Sequence, residues 1–222
     1  MGGRDLHDAL ASRDPKEVVV TAKADAIAQL LDAGADPILY IDADALVLGD
    51  LGPLLQRIRE HAITLTPHHV SALTGPDAIA DELHQLLGGT FNGGLLAVRD
   101  RPAGRAFMSW WRERLRDHCR LATADGMFYD QRWLDLVPGL FGDVGLLRDP
   151  AYDTAWWNVA QRSAADCRLF HFSGFDPAGP SPVTRWAPDL GLDAMGDFAP
   201  LFGEYRALLE AHRLPAVGSS RP

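Results

Sequence analysis

Ile38-Leu39-Tyr40-Ile41 follows Pro37 and stops abruptly at Asp42-Ala43-Asp44. A short apolar run with no polar alternation reads as a strand buried on both faces. Strands of that kind belong to sheets covered by helices, so this one segment points to an α/β fold. The abrupt stop puts two carboxylates at the strand's carboxyl end, the edge at which open α/β sheets bind ligands. In extended backbone, residues i and i+2 point to the same side. Two carboxylates so placed repel each other, and a divalent cation relieves the repulsion. All-oxygen ligands suit manganese or magnesium, which also take phosphate oxygens.

The rest of the chain alternates in the same manner. Residues 22–33 read as a helix stopped by Gly34, with Val18-Val19-Val20 a short strand or the helix entry. Helices are expected over 51–61, 77–87, 104–118, 126–136 and 198–212. Strands are expected over 62–66, 94–98, 144–147 and 168–172. Phe107, Trp110, Trp111 and Leu115 repeat at helical spacing. The expected fold is a mixed, mostly parallel sheet flanked by helices. Residues 1–17 read as a polar lead-in, 18–213 as one domain and 214–222 as a flexible tail.

Composition removes several function classes. The formal net charge is -9, from 21 Lys and Arg against 30 Asp and Glu, a balance that lends no support to a basic face for nucleic acid. No apolar stretch reaches the ~20 residues of a membrane span. The N-terminus lacks the apolar core of a secretory signal, so the expected compartment is the cytoplasm. Cys119 and Cys167 lack metal-ligand spacing and read as buried thiols. Lys16 and Lys23 are the only lysines, and neither is assigned a role.

The segment Ile38-Leu39-Tyr40-Ile41-Asp42-Ala43-Asp44-Ala45-Leu46-Val47 resembles the Asp-x-Asp segment of GT-A glycosyltransferases. Three further segments agree in order. Thr90-Phe91-Asn92-Gly93-Gly94 looks like the Asn-x-Gly stretch that lines the donor sugar. Asp130-Gln131 looks like the helix-borne pair that follows it. His171-Phe172-Ser173-Gly174 looks like the late His-x-x-Gly. The resemblance covers about Thr21 to Pro177. It implies a GT-A (Rossmann-like) fold and transfer of a sugar from a nucleotide-diphosphate donor, UDP-linked by preference, to an unknown acceptor. It also implies manganese or magnesium on Asp42, Asp44 and His171. Asp42, Asn92, Gly93, Gly94, Asp153 and Gly174 would then contact the donor, with Asp130 and Gln131 at the reacting centre. A homo-oligomer is left open.

Residue chemistry is compatible with those roles. Glycines let a ligand approach the backbone, and Asn can both donate to and accept from hydroxyls. Asp130 and Asp153 are candidates for stabilising an oxocarbenium-like centre, for nucleophile or for base. The aromatic run Tyr152 to Asn158 suits sugar stacking or core packing equally. His68 and His69, being adjacent, point apart and do not form a joint metal site.

Two features depart from the family pattern. Asp42 lies closer to the start of the chain than that class places it, so the first βαβ unit, with its base-binding loop, is expected to be missing. The stretch Phe175-Asp176-Pro177-Ala178 has no lysine where glycogenin-like retaining members place one on the diphosphate. Arg162, Arg168 and Arg185 are the alternatives. Two rival readings remain: a non-catalytic transferase-like subunit, and a haloacid-dehalogenase-type phosphohydrolase. The second expects Thr or Val where Leu46 stands and a downstream lysine, and no lysine follows Lys23.

Overall fold

The computed structural model describes residues 14–213. The first thirteen residues of the lead-in and the 214–222 tail lie outside the described residues. The elements run α1 (Pro15–Asp32), β1 (Ile38–Ile41), β2 (Ala45–Val47), α2 (Gly52–Arg57), β3 (Ile63–Pro67), α3 (Ala78–Gly88), β4 (Phe91–Val98) and α4 (Pro102–His118). They continue with β5 (Leu121–Ala122), β6 (Met127–Phe128), α5 (Gln131–Leu134), α6 (Val137–Leu140), β7 (Val144–Leu146), β8 (Leu169–His171) and α7 (Ala199–Ala211). They divide into two compact units. One comprises the chain up to Asp42 together with Asp50–Asp149; the other comprises Ala43–Gly49 and the chain from Pro150 onward.

The first unit is built on a four-stranded sheet in the order β1-β4-β3-β7. Every residue of β3 and β4 is buried, the polar Thr64, Thr66 and Asn92 included. The sheet is mixed and flanked by helices, but its balance differs from the expected parallel majority. β4 runs antiparallel to both β1 and β3, and only β3 and β7 are parallel. Alternating helices and strands imply crossovers, yet they do not fix the direction in which each strand enters the sheet. Here β4 enters reversed between β1 and β3, pairing Tyr40 with Leu96 on one side and Leu65 with Leu96 on the other.

Helix α1 begins earlier than its apolar period suggests. The Asp14 side chain accepts from the Lys16 amide at 2.8 Å, and Pro15 occupies the first turn, so a capped start draws Val18-Val19-Val20 into the helix. Its buried face carries Thr21, Lys23, Ala24, Ile27, Ala28 and Leu31. Helix α4 buries Phe107, Trp111 and Leu115, with Phe107 and Trp111 stacked at 5.3 Å. The helix expected over 126–136 is broken up. Gly126 and Tyr129 both adopt positive φ, which a continuous right-handed helix does not tolerate, so β6 and the short α5 stand in its place.

The second unit pairs β2 with β8 antiparallel, setting Ala45 opposite His171 and Leu46 opposite Phe170. Its core gathers Phe170, Phe172, Met195, Phe198, Phe202 and Tyr205. Phe172 and Tyr205 lie face to face at 4.0 Å. Both cysteines are buried and unbridged; burial pushes the Cys119 thiol up to about 12 and the Cys167 thiol upward. No described helix is long and apolar enough to cross a membrane.

Candidate functional site

In the first unit the candidate residues gather where β1 and β4 meet α1. The Asp42 amide donates to the Gly94 carbonyl at 2.8 Å, carrying the β1–β4 ladder one step past the strand. Tyr40 sends its hydroxyl to Asp42 Oδ1 at 2.6 Å. Asn92 accepts from the Gly94 amide through Oδ1. Gln131 Oε1 accepts from the Gly93 amide at 3.2 Å, while its Nε2 donates to the Gly88 carbonyl at 2.7 Å. Gly93 is required by crowding, because a Cβ there would lie 2.8 Å from Asp130 Oδ2.

The centre of this group is a residue that sequence reasoning passed over. Lys23 Nζ, on α1, donates to Asp130 Oδ2 and to the Gly93 carbonyl, both at 2.8 Å. It stands 3.6 Å from Asp42 Oδ1 and 4.6 Å from the centre of the Tyr40 ring. Its side chain is 4% exposed, and that of Asp130 is 7% exposed. Burial by itself would depress the ammonium pKa, but the carboxylates of Asp130 and Asp42 outweigh it and raise the group above its ordinary value. Burial likewise pushes the Tyr40 phenol above its ordinary value; Asp42 adds to the shift and Lys23 opposes it. The available signal was a lysine in the stripe that carries Ala24, Ile27 and Leu31, a position where a charge needs a partner.

The second unit holds a separate line of three groups. His171 ends β8 and is buried. Its Nε2 faces Asp44 Oδ1 at 3.1 Å, and its Nδ1 faces Asp153 Oδ1 at 3.4 Å. Burial would lower the imidazole pKa; the carboxylates of Asp153 and Asp44 reverse that and raise it to about 10. The placement follows from the backbone. The Phe172 amide donates to the Asp44 carbonyl at 2.8 Å, and the His171 amide donates to the Thr154 carbonyl at 2.7 Å. Asp153 takes φ 55°, a left-handed conformation that Asp tolerates better than most residues. Trp157 meets the His171 ring edge-on at 5.6 Å. Gly174 has φ 76°, and a Cβ on it would come 2.5 Å from Trp186 Cδ1, so it serves a tight turn against Trp186.

Thus Asn92, Gly93, Gly94, Asp130 and Gln131 collect with Asp42 in one unit, and Asp44, Asp153 and His171 in the other. The boundary falls inside Asp42-Ala43-Asp44, so the two carboxylates are joined by a single intervening residue. The donor chemistry fits a divalent cation. Asp44 offers a half-exposed carboxylate, and His171 offers an imidazole whose Nδ1 side is already taken up by Asp153. Of the arginines weighed for a diphosphate, Arg185 lies over the Trp186 ring at 4.8 Å.

No family model matches the chain. A curated relative, the uncharacterized protein YfnF of Bacillus subtilis (strain 168), is 26% identical over 178 residues, 74% of this chain. The chain spans 58% of that relative's length. Among solved structures, it is similar to the galactosyltransferase LgtC in complex with donor and acceptor sugar analogues, at 17% identity and a TM-score of 0.46, covering 86% of this chain and 68% of that one. It is also similar to a glycosyltransferase involved in glycosylation of the major capsid of PBCV-1, at 12% identity and a TM-score of 0.46, covering 76% and 81%. A third is the glycosyltransferase GlyE of Streptococcus pneumoniae TIGR4, at 17% identity and a TM-score of 0.44, covering 78% and 40%.

Proposed function

We propose that this chain is a metal-dependent glycosyltransferase that takes a sugar from a nucleotide-diphosphate donor, by preference UDP-linked, and passes it to an acceptor. The observation that carries the reading is His171, set between Asp44 and Asp153 at the end of β8. A buried imidazole oriented from behind by one carboxylate and facing another is a metal-ligand arrangement. The Asp-x-Asp pattern of the sequence adds Asp42, two residues before Asp44, as the third donor of this reading. A divalent cation held there, manganese or magnesium, would offset the charge that develops on a leaving diphosphate.

The remaining roles belong to the protein's own side chains. Asn92 and the glycine backbone of β4 would bind the donor sugar. Asp130 would face the carbon that loses the diphosphate, and a carboxylate there stabilises developing positive charge. Gln131 bridges the Gly93 amide and the Gly88 carbonyl, which fixes the strand next to Asp130. Lys23 holds Asp130 through a charged hydrogen bond of 2.8 Å and faces Asp42 across 3.6 Å.

The test is hydrolysis or transfer of UDP-sugars with manganese and with a chelator, in wild type and in Asp44→Ala. Loss of activity in both the chelated and the mutated protein is expected. Full turnover in either would sink the mechanism.

A further inference from the structure

Asp153 is 1% exposed, and its carboxylate faces the inner side of His171. It is therefore poorly placed to touch a substrate. The turn that carries it is tied down on its own account. Asn158 Nδ2 donates to the Asp153 carbonyl at 3.0 Å, and Asn158 Oδ1 accepts from the Ala155 amide at 2.9 Å. Thr154 bridges in parallel to Phe170, and its amide donates to the Leu169 carbonyl at 3.1 Å. The left-handed backbone at Asp153, between these anchors, brings its carboxylate to 3.4 Å from His171 Nδ1.

We infer that Asp153 is a positioning residue that holds His171 with Nδ1 protonated, so that Nε2 presents its lone pair on the Asp44 side as a metal ligand. The inference rests on the metal reading above and gives Asp153 a role distinct from donor contact. Imidazole has one donor and one acceptor nitrogen when neutral, and the partner of one nitrogen decides which role the other takes. A buried carboxylate at Nδ1 leaves Nε2 as the ligating atom. Without it, the ring can rotate or take the other tautomer, and metal affinity falls.

The backbone at Asp153 makes a clean experiment available. Asn keeps both the left-handed conformation and an acceptor oxygen, so Asp153→Asn preserves the positioning contact. Gly adopts φ near 55° without strain, so Asp153→Gly removes the acceptor and leaves the turn intact. The readout is manganese affinity, from the free-ion electron paramagnetic resonance signal, measured on wild type, both variants and Asp44→Asn. Melting temperatures of the metal-free proteins serve as the folding control. Asp153→Gly is expected to weaken binding by roughly 10–100-fold, the usual cost of losing an outer-shell partner. Asp153→Asn should stay within a few-fold of wild type.

Cobalt-substituted protein supplies a second readout that does not depend on activity. The exchangeable Nδ1 proton of the coordinated histidine should be visible and slowly exchanging in wild type and Asp153→Asn. It should be lost to solvent exchange in Asp153→Gly. If wild type binds no manganese, the metal reading fails and takes this inference with it. If wild type binds, Asp44→Asn does not, and Asp153→Gly binds as tightly as wild type with its Nδ1 proton still protected, only the positioning role of Asp153 is overturned.

Discussion

Lys23 and His171 are buried cationic groups between carboxylates, and each allows a prediction. Lys23 sits between Asp130 and Asp42 with almost no access to water. Removing one member of a buried ion pair leaves the other uncompensated, which costs about 3–5 kcal/mol. Lys23→Met should lower unfolding stability by about that amount in urea melts. Lys23→Met/Asp130→Leu should recover much of the loss, because the buried charge that lacked a partner is gone as well. Two independent, additive losses would show that the pair is not coupled. His171 allows a prediction about pH. Its pKa in the folded, metal-free protein is raised to about 10, above the unfolded value of about 6.5. A raised pKa means that the folded state holds the proton more tightly, so its stabilising contribution is fully present below about pH 6.5. The contribution declines as pH rises from there and is lost as pH passes about 10. Melting temperatures in chelator should fall across that window, and His171→Gln should flatten the slope.

At the scale of elements, the sequence was most legible where period and punctuation agreed. The Ile38–Ile41 strand, the strand leading to His171 and helix α4 are all present near their expected places. Sheet direction was not legible, because an apolar run looks the same in either orientation. The break between Gly126 and Gln131 was missed because positive φ at Tyr129 carries no local signature. Lys23 was missed for a related reason, since Gly93 and Asp130 lie 70 and 107 residues away along the chain. Helix α3 shows what period alone cannot tell. Its apolar positions repeat correctly, yet Ile79 is 73% exposed and none of its residues is buried. Helix α4 gives the element-scale prediction. A Cβ on Gly104 would overlap the Arg99 carbonyl oxygen and press on that of Ala62. Ala improves helix propensity over Gly by about 1 kcal/mol. Two backbone carbonyls cannot move aside as a flexible side chain can, so Gly104→Ala should nonetheless destabilise the protein by roughly 1–3 kcal/mol, as overpacking does. Chemical denaturation decides the sign, and a gain in stability would show that α4 can shift away from the sheet.

At the scale of the whole molecule, the proposed metal and a proton would compete for one nitrogen. In the metal-free protein the raised pKa keeps His171 protonated through the neutral range. A divalent cation on Nε2 must displace that proton, because only neutral imidazole ligates. Over this range apparent affinity should therefore tighten by about tenfold per pH unit. Whatever binds the folded chain alone also stabilises it, by about 2.7 kcal/mol at a hundred times the dissociation constant. In a chain of this length that corresponds to roughly 5–10 °C in melting temperature. The same manganese concentration should thus raise the melting temperature more at pH 8 than at pH 6, although the metal-free protein is the less stable of the two at pH 8 as far as His171 is concerned. Asp44→Asn and His171→Gln should abolish the manganese effect at both pH values. A shift of equal size at pH 6 and pH 8 would mean that the cation stabilises the chain without engaging His171, and would move the metal site to other carboxylates.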